Sequence, residues 1–182
     1  DNKTAVKWYR LAAKQGNADA QLDLGVMYRD GHGVPKNVKT AVKWMELATN
    51  NGHVMAPAVL GTMYGMGHGV PEDVKIAVKW YRIASKRGNS AASLALGTSY
   101  EKGQGVPQDY QTALKFYKLA VEQGMPIAQQ FVEKVQQKIA TQYPKQPTQS
   151  LQKSPLDKAK EQCAEIGFTK GTEKFGDCVM KL

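Results

Sequence analysis

The sequence predicts an all-α protein made by stacking one helical hairpin several times over. Three observations carry this expectation. Tyr28, Tyr64 and Tyr100 recur every 36 residues, as do Gly25, Gly61 and Gly97. The tripeptides Gly33-Val34-Pro35, Gly69-Val70-Pro71 and Gly105-Val106-Pro107 keep the same spacing. So does the aromatic series Trp8, Trp44, Trp80 and Phe116, whose spacing assigns it to the buried faces. A fixed period marks repeated supersecondary units, each with an apolar face that only its neighbours can cover. Such a stack offers a long surface in place of one catalytic cleft, so holding another molecule is the expected role.

Each unit reads as two helices. Two residues after the proline of each turn stands Asn37, Asp73 or Asp109, a side chain able to accept the free amide protons of a starting helix. In the helix that follows, called B here, Ala41, Trp44, Met45 and Ala48 share one face and Gly52 follows as a stop. The helix before each turn, called A, buries Ala20, Leu24, Gly25 and Tyr28, its small residues letting two backbones approach, and Gly31-His32-Gly33 ends it. Asp1 aligns by the period with Asn37, Asp73 and Asp109, so the chain opens within a repeat and is expected to be part of a longer protein. From Met125 onward the turn glycines vanish, and Ile127, Phe131, Val135 and Ile139 form a single stripe to about Gln142. A terminal unit must face water on one side, so residues 125–142 are expected to be a capping helix.

The order Ala, Leu-Gly, Tyr, Gly-x-Gly-Val, Asp, Ala, Trp, Ala-Ala, Gly, seen in Ala56 to Gly88 with Ala84-Ser85 in the Ala-Ala place, resembles the Sel-one-like repeat family, α/α-solenoid relatives of the tetratricopeptide repeats. The resemblance covers about residues 1–128. It implies a right-handed solenoid of antiparallel helix pairs and the work of an adaptor that gathers other proteins, often at bacterial surfaces or in the secretory pathway. Some bacterial relatives carry a disulfide in every repeat, and a few are linked to penicillin or peptidoglycan binding. The repeats here contain no cysteine, so no matched residue supports a cell-wall role.

Beyond the solenoid of residues 1–142, residues 143–153 contain Pro144-Lys145-Gln146-Pro147-Thr148-Gln149-Ser150 and suit an extended linker. Residues 154–182 open on Ser154-Pro155, a helix-start signal, and hold both cysteines. The stretch from Cys163 to Cys178 is similar to a short two-cysteine motif at the ends of assorted bacterial proteins. A segment this small cannot bury enough apolar area alone. A Cys163–Cys178 disulfide joining two short helices is the expected staple, two buried free thiols the alternative. A disulfide would place the protein in an oxidising compartment, the periplasm or cell surface of a bacterium, the cytoplasm being the alternative.

No catalytic, metal or cofactor site is expected. His32 and His68 occupy equivalent turns of successive repeats, roughly 16–20 Å apart by helix spacing, too far to share an ion. The Gly-x-Gly turns lack the preceding strand and following GK[ST] of a phosphate loop. Neither cysteine has a histidine near it in sequence, as a nucleophile would need. The net charge of +9 comes with rows such as Lys3, Lys7, Arg10, Lys14 and Lys75, Lys79, Arg82, Lys86 on the outward face of helix B. With 21 lysines to four arginines, and Glu46 and Asn50 interrupting the middle row, a solvated face is expected in preference to a nucleic-acid ridge. No stretch reaches the roughly 18 apolar residues of a membrane span.

The candidate site is the outward stripe of helix A, which lines the inner surface in related solenoids. It reads Asp19, Asp23, Val26, Asp30 in the first unit, Met55, Val59, Thr62, Met66 in the second, and Ala91, Ala95, Thr98, Lys102 in the third. Of these, Asp19, Asp23, Asp30, Met55, Val59, Met66 and Lys102 are the expected binding residues, and they suit a protein or peptide with an apolar anchor and basic flanks. A competing use of this stripe is as the seat of the C-terminal segment. The rival functions are that of a cell-wall (peptidoglycan) binder or hydrolase-like relative, and binding of anionic surfaces or nucleic acid through the lysine rows.

Overall fold

The computed structural model describes residues 1–142 and 154–181, and the predicted linker lies outside the described residues. The chain divides into two compact units, Asp1–Gln142 and Tyr143–Leu182. The first contains α1 (Asn2–Lys14), α2 (Ala18–Asp30), α3 (Val38–Asn50), α4 (Ala56–Met66), α5 (Val74–Lys86), α6 (Ser90–Lys102), α7 (Tyr110–Glu122), a 3₁₀ turn (Pro126–Ala128) and α8 (Gln129–Gln142). The second contains α9 (Pro155–Glu165) and α10 (Glu173–Lys181). No strand occurs among the described residues.

The helix boundaries follow the residues that were expected to set them. Asn37, Asp73 and Asp109 accept from Thr40, Ile76 and Thr112 backbone amides at 3.0, 2.9 and 3.1 Å, holding the first turns of α3, α5 and α7. The A helices α2, α4 and α6 end at Gly31, Gly67 and Gly103 in the left-handed conformation. Two residues later Gly33, at φ 73°, rests on the start of α1. A Cβ there would lie 2.5 Å from the Asn2 carbonyl oxygen, so the second glycine of the turn serves contact between repeats.

Each hairpin closes on the glycines of its A helix. Leu24, Leu60 and Leu96 are fully buried beside Gly25, Gly61 and Gly97, against which Met45, Tyr81 and Tyr117 of the following B helices pack. The aromatic series sits differently from the expectation. Trp44 and Trp80 are half-buried, and Trp8 is 68% exposed. The residues after Trp44 and Phe116 point inward instead: Met45 and Tyr117 are fully buried, while Tyr81 is half-buried against Gly61. Trp44 packs against the cluster of Val6 from α1 and Leu24 from its own hairpin, Trp80 against the Met45 and Leu60 cluster, and Phe116 stacks on Tyr100 at 5.6 Å. Met45, Tyr81 and Tyr117 occupy the glycine crossings, and Trp44 and Trp80 pack at the edges of the clusters beside them.

Polar staples join the helices as well. Asn51, Arg87 and Gln123 lie one period apart at the ends of α3, α5 and α7; Asn51 bonds within its own hairpin, and Arg87 and Gln123 reach back one repeat. Asn51 donates to Gln21 at 2.9 Å, Arg87 to the Thr49 and His53 carbonyls at 3.0 Å each, and Gln123 to the Ser85 carbonyl at 2.8 Å. The bonds from Arg87 and Gln123 reach carbonyls at or just beyond the ends of α3 and α5, where no partner inside the helix is on hand.

The cap at residues 125–142 is broken, not continuous: Pro126–Ala128 forms a 3₁₀ turn before α8. Val132 and Val135 are the buried pair, whereas Ile127 is 64% exposed, so its part of the expected stripe faces outward. Glu101 fastens this end. Its carboxylate accepts from the Tyr117 hydroxyl and from Lys138 Nζ at 2.7 Å, joining α6, α7 and α8. Burial pushes the Glu101 pKa up, but the hydrogen bonds from Lys138 and Tyr117 outweigh it and hold the carboxyl below its ordinary value. A lowered folded value gives stabilisation that is complete above the unfolded pKa of about 4.3 and is lost as pH falls through the folded value. Glu101→Gln should therefore cost about 1 kcal/mol at pH 7 and should lose less than the wild type on acidification below about pH 4. Denaturant midpoints at neutral and acid pH check this, and parallel acid losses in both proteins would exclude the clamp.

In the second unit Ala159, Cys163 and Phe175 are buried, and the Cys163–Cys178 disulfide joins α9 to α10 with Cα atoms 6.0 Å apart. The staple expected from the sequence is present, and no free cysteine occurs among the described residues.

Candidate functional site

The outward stripes of α4 and α6 adjoin where the two helices touch, and Arg29 at the end of α2 lines the same surface as residues of α4. Met55 and Met66 are 50% and 63% exposed, while Met63 of the same helix and Met45 of the preceding α3 are buried, so this group of methionines splits between core and surface. Met55, Val59 and Thr62 line a groove section of about 300 Å³, together with Arg29 from α2 and Asn89 and Ala91 beside α6. Met66 lines a second section of about 370 Å³ with Ala91, Ala95 and Thr98, and its floor is Ala77 and Tyr81 of α5. The Asn89 side-chain amide lies 3.2 Å from the Met55 sulfur and fixes one edge.

Two of the three acids on α2 have partners within the chain. Arg29 grips Asp30 with two bonds of 2.8 Å, and the guanidinium holds that carboxyl below its ordinary pKa. His53 Nε2 lies 3.3 Å from Asp19 Oδ1, while its Nδ1 accepts from the Met55 and Ala56 amides at 3.1 Å each. Histidine thus caps α4 where Asn17 and Asn89 cap α2 and α6. Asp19 nevertheless keeps a side chain that is 87% exposed. Asp23 is exposed beside Tyr9 and its charge pushes that phenol's pKa up.

Of the seven expected residues, Met55 and Val59 meet in the first section and Met66 lines the second. Asp19 and Asp23 stand exposed on α2. Asp30 is engaged by Arg29, and Lys102 is exposed at the end of α6, lining neither section. Sequence reasoning missed Arg29, Asn89 and Tyr81. Asn89 was legible as a helix cap, but that Tyr81 of a B helix forms a groove floor required the depth of the seam.

A stack of antiparallel helix pairs with an exposed lateral groove defines an α/α repeat solenoid. The chain belongs to the Sel1 repeat family, whose family model matches residues 1–17, 18–53, 58–89 and 90–125. It is similar to the crystal structure of a Sel1 repeat protein from Oxalobacter formigenes, at 34% identity and TM-score 0.63 over 69% of this chain and 95% of that one. It is also similar to c5321, a protective antigen of uropathogenic Escherichia coli strains displaying an SLR fold. There the identity is 33% and the TM-score 0.70 over 92% of this chain, which spans 34% of the antigen's length. No match was found among curated proteins. Sel1 repeats are generally non-catalytic scaffolds that mediate protein interactions. No helix among the described residues is long and apolar enough to cross a membrane.

Proposed function

We propose that this chain is a non-catalytic adaptor that binds a protein or peptide along the stripes of α2, α4 and α6. The observation that carries the reading is the pair of groove sections around Met55 and Met66, with Arg29 of α2 in the first and Asp19 and Asp23 exposed on that same helix. Methionine is flexible and polarisable, and exposed at a groove it adapts to varied apolar partners. Asp19 and Asp23 supply negative charge for a basic flank. The ligand therefore carries an apolar anchor next to lysine or arginine. The disulfide and the bacterial origin of both structural relatives support a periplasmic or cell-surface site of action.

A second reading rests on the lysine rows. Lys3, Lys7, Lys14, Lys75, Lys79 and Lys86 are all exposed on B helices and would suit an anionic surface. Against it, the two arginines of the rows, though exposed, are each engaged by a tyrosine of the neighbouring A helix: Arg10 donates to the Tyr28 hydroxyl at 2.8 Å and Arg82 to that of Tyr100 at 2.5 Å. Pull-down with mass spectrometry, followed by titration of the captured partner, separates the readings. Replacing Met55 and Met66 with Ala should each weaken binding about 5- to 10-fold, in the range of an interface anchor. Replacing Lys75 and Lys79 should change it less. The reverse order, with steep loss of affinity in salt, would move the binding face to the B helices.

A further inference from the structure

The second groove section owes its depth to one missing side chain. Three positions one period apart near the ends of α2, α4 and α6 read Arg29, Gly65 and Glu101. In the later repeat the Tyr117 hydroxyl lies 3.3 Å from Thr98 Oγ1 and donates to the Glu101 carboxylate. One repeat earlier Tyr81 repeats this arrangement, its hydroxyl 3.5 Å from Thr62 Oγ1. The position of the carboxylate is taken by Gly65, and both residues line the depression of about 370 Å³. Gly65 is not there for want of room. A Cβ on it would meet Ala77 Cβ at 3.4 Å and the Tyr81 hydroxyl at 3.5 Å, ordinary contacts, whereas one on Gly61 would meet the Tyr81 ring at 2.6 Å.

We infer that this depression is a pocket for a glutamine side chain of the bound peptide, whose amide oxygen accepts from the Tyr81 hydroxyl as Glu101 accepts from Tyr117. The inference rests on the groove reading above and names what that groove selects. Two methylenes suit the apolar walls of Ala77, Leu94 and Ala95. Glu72 lines the same depression, which disfavours a second carboxylate and suits the donor end of an amide. Glutamine satisfies both ends, and an aliphatic side chain would leave the Tyr81 donor with its long contact alone.

The test selects displayed random peptides on the immobilised full chain. It then titrates synthetic versions of the enriched peptide, carrying Gln, Glu or Leu at one position, against wild type, Tyr81→Phe, Gly65→Glu and Met55→Ala. Enrichment of Gln is expected. Gln→Leu in the peptide should weaken binding about 5-fold on wild type, the loss of one hydrogen bond, and leave it unchanged on Tyr81→Phe. Gly65→Glu fills the space and sets a carboxylate beside the Tyr81 hydroxyl, so it should lose at least about 10-fold while the chain stays folded, the gain in helix propensity over glycine offsetting the repulsion from Glu72. Peptides that weaken on Met55→Ala but ignore Tyr81→Phe and Gly65→Glu would overturn the pocket and leave the groove standing. Absence of enrichment, or binding indifferent to all three variants, would overturn both.

Discussion

Reduction of the Cys163–Cys178 disulfide is expected to unfold α9 and α10 while α1 to α8 stay folded. The reason is how little else holds the two helices together. Ala159, Cys163 and Phe175 are their buried residues, and Leu156, Ile166 and Met180 are 52%, 68% and 86% exposed. A core this small cannot offset the conformational entropy of ordering the segment. The bond spans 15 residues, and closing a loop of that size contributes about 3 kcal/mol in the chain-entropy model. Losing it exceeds any stabilisation that three buried side chains leave over. Hydrogen exchange on the full chain, with and without reductant, is the measurement. Amides of α9 and α10 should lose protection and those of α2 to α7 should keep theirs, and Cys163→Ser with Cys178→Ser should reproduce the result. Protection of α9 and α10 that survives reduction would show that packing alone holds them.

What the sequence disclosed about the fold is what depends on local chemistry. Asn37, Asp73 and Asp109 cap helices by bonds within three residues, and Gly31, Gly67 and Gly103 end helices by their own backbone freedom. Both can be read from a single repeat. The aromatic register could not, because Trp44 and Met45 are neighbours on the helix and both are apolar. Which one enters the hairpin is decided across the seam by Gly25, whose Cβ, if it had one, would sit 2.8 Å from Met45 Cγ. The staples from Asn51, Arg87 and Gln123 were hidden for a similar reason. The residues differ in chemistry and share only their position at the helix end.

The candidate site divides the same way. Helical angle alone brought Met55, Val59 and Met66 to the surface facing the groove, since the stripe of an A helix is set by its own periodicity. Charge pairing was not legible. Asp30 lies next to Arg29 in sequence, yet their two-pronged contact depends on rotamers that the pattern does not encode. Nor was the floor at Tyr81, because a pocket made by Gly65 is made by atoms that are absent. The signal was nevertheless present: Gly65 interrupts a column that is charged at Arg29 and Glu101.

Gly97→Val is expected to destabilise the last hairpin by about 3 kcal/mol or more, the upper range for an overpacked core. A Cβ at residue 97 would stand 2.5 Å from Tyr117 Cδ1 and Cε1. Relief would require the tyrosine ring to move, and it has nowhere to go. Tyr117 is fully buried, its ring lies 5.3 Å from that of Phe131, and its hydroxyl is held by Glu101 and Thr98. The alternative is for α6 and α7 to part, which would open the cluster of Ala113, Val132 and Val135 beneath them. Gly65→Ala supplies the control, since its Cβ meets only ordinary contacts and exchanging glycine for alanine inside a helix favours the fold by about 1 kcal/mol. The two substitutions should therefore move the thermal midpoint in opposite directions, Gly97→Val downward by about 6–12 °C. A midpoint for Gly97→Val within a degree or two of wild type would mean that the hairpins separate at little cost. The close approach at Gly25, Gly61 and Gly97 would then not be what sets the spacing of the repeats.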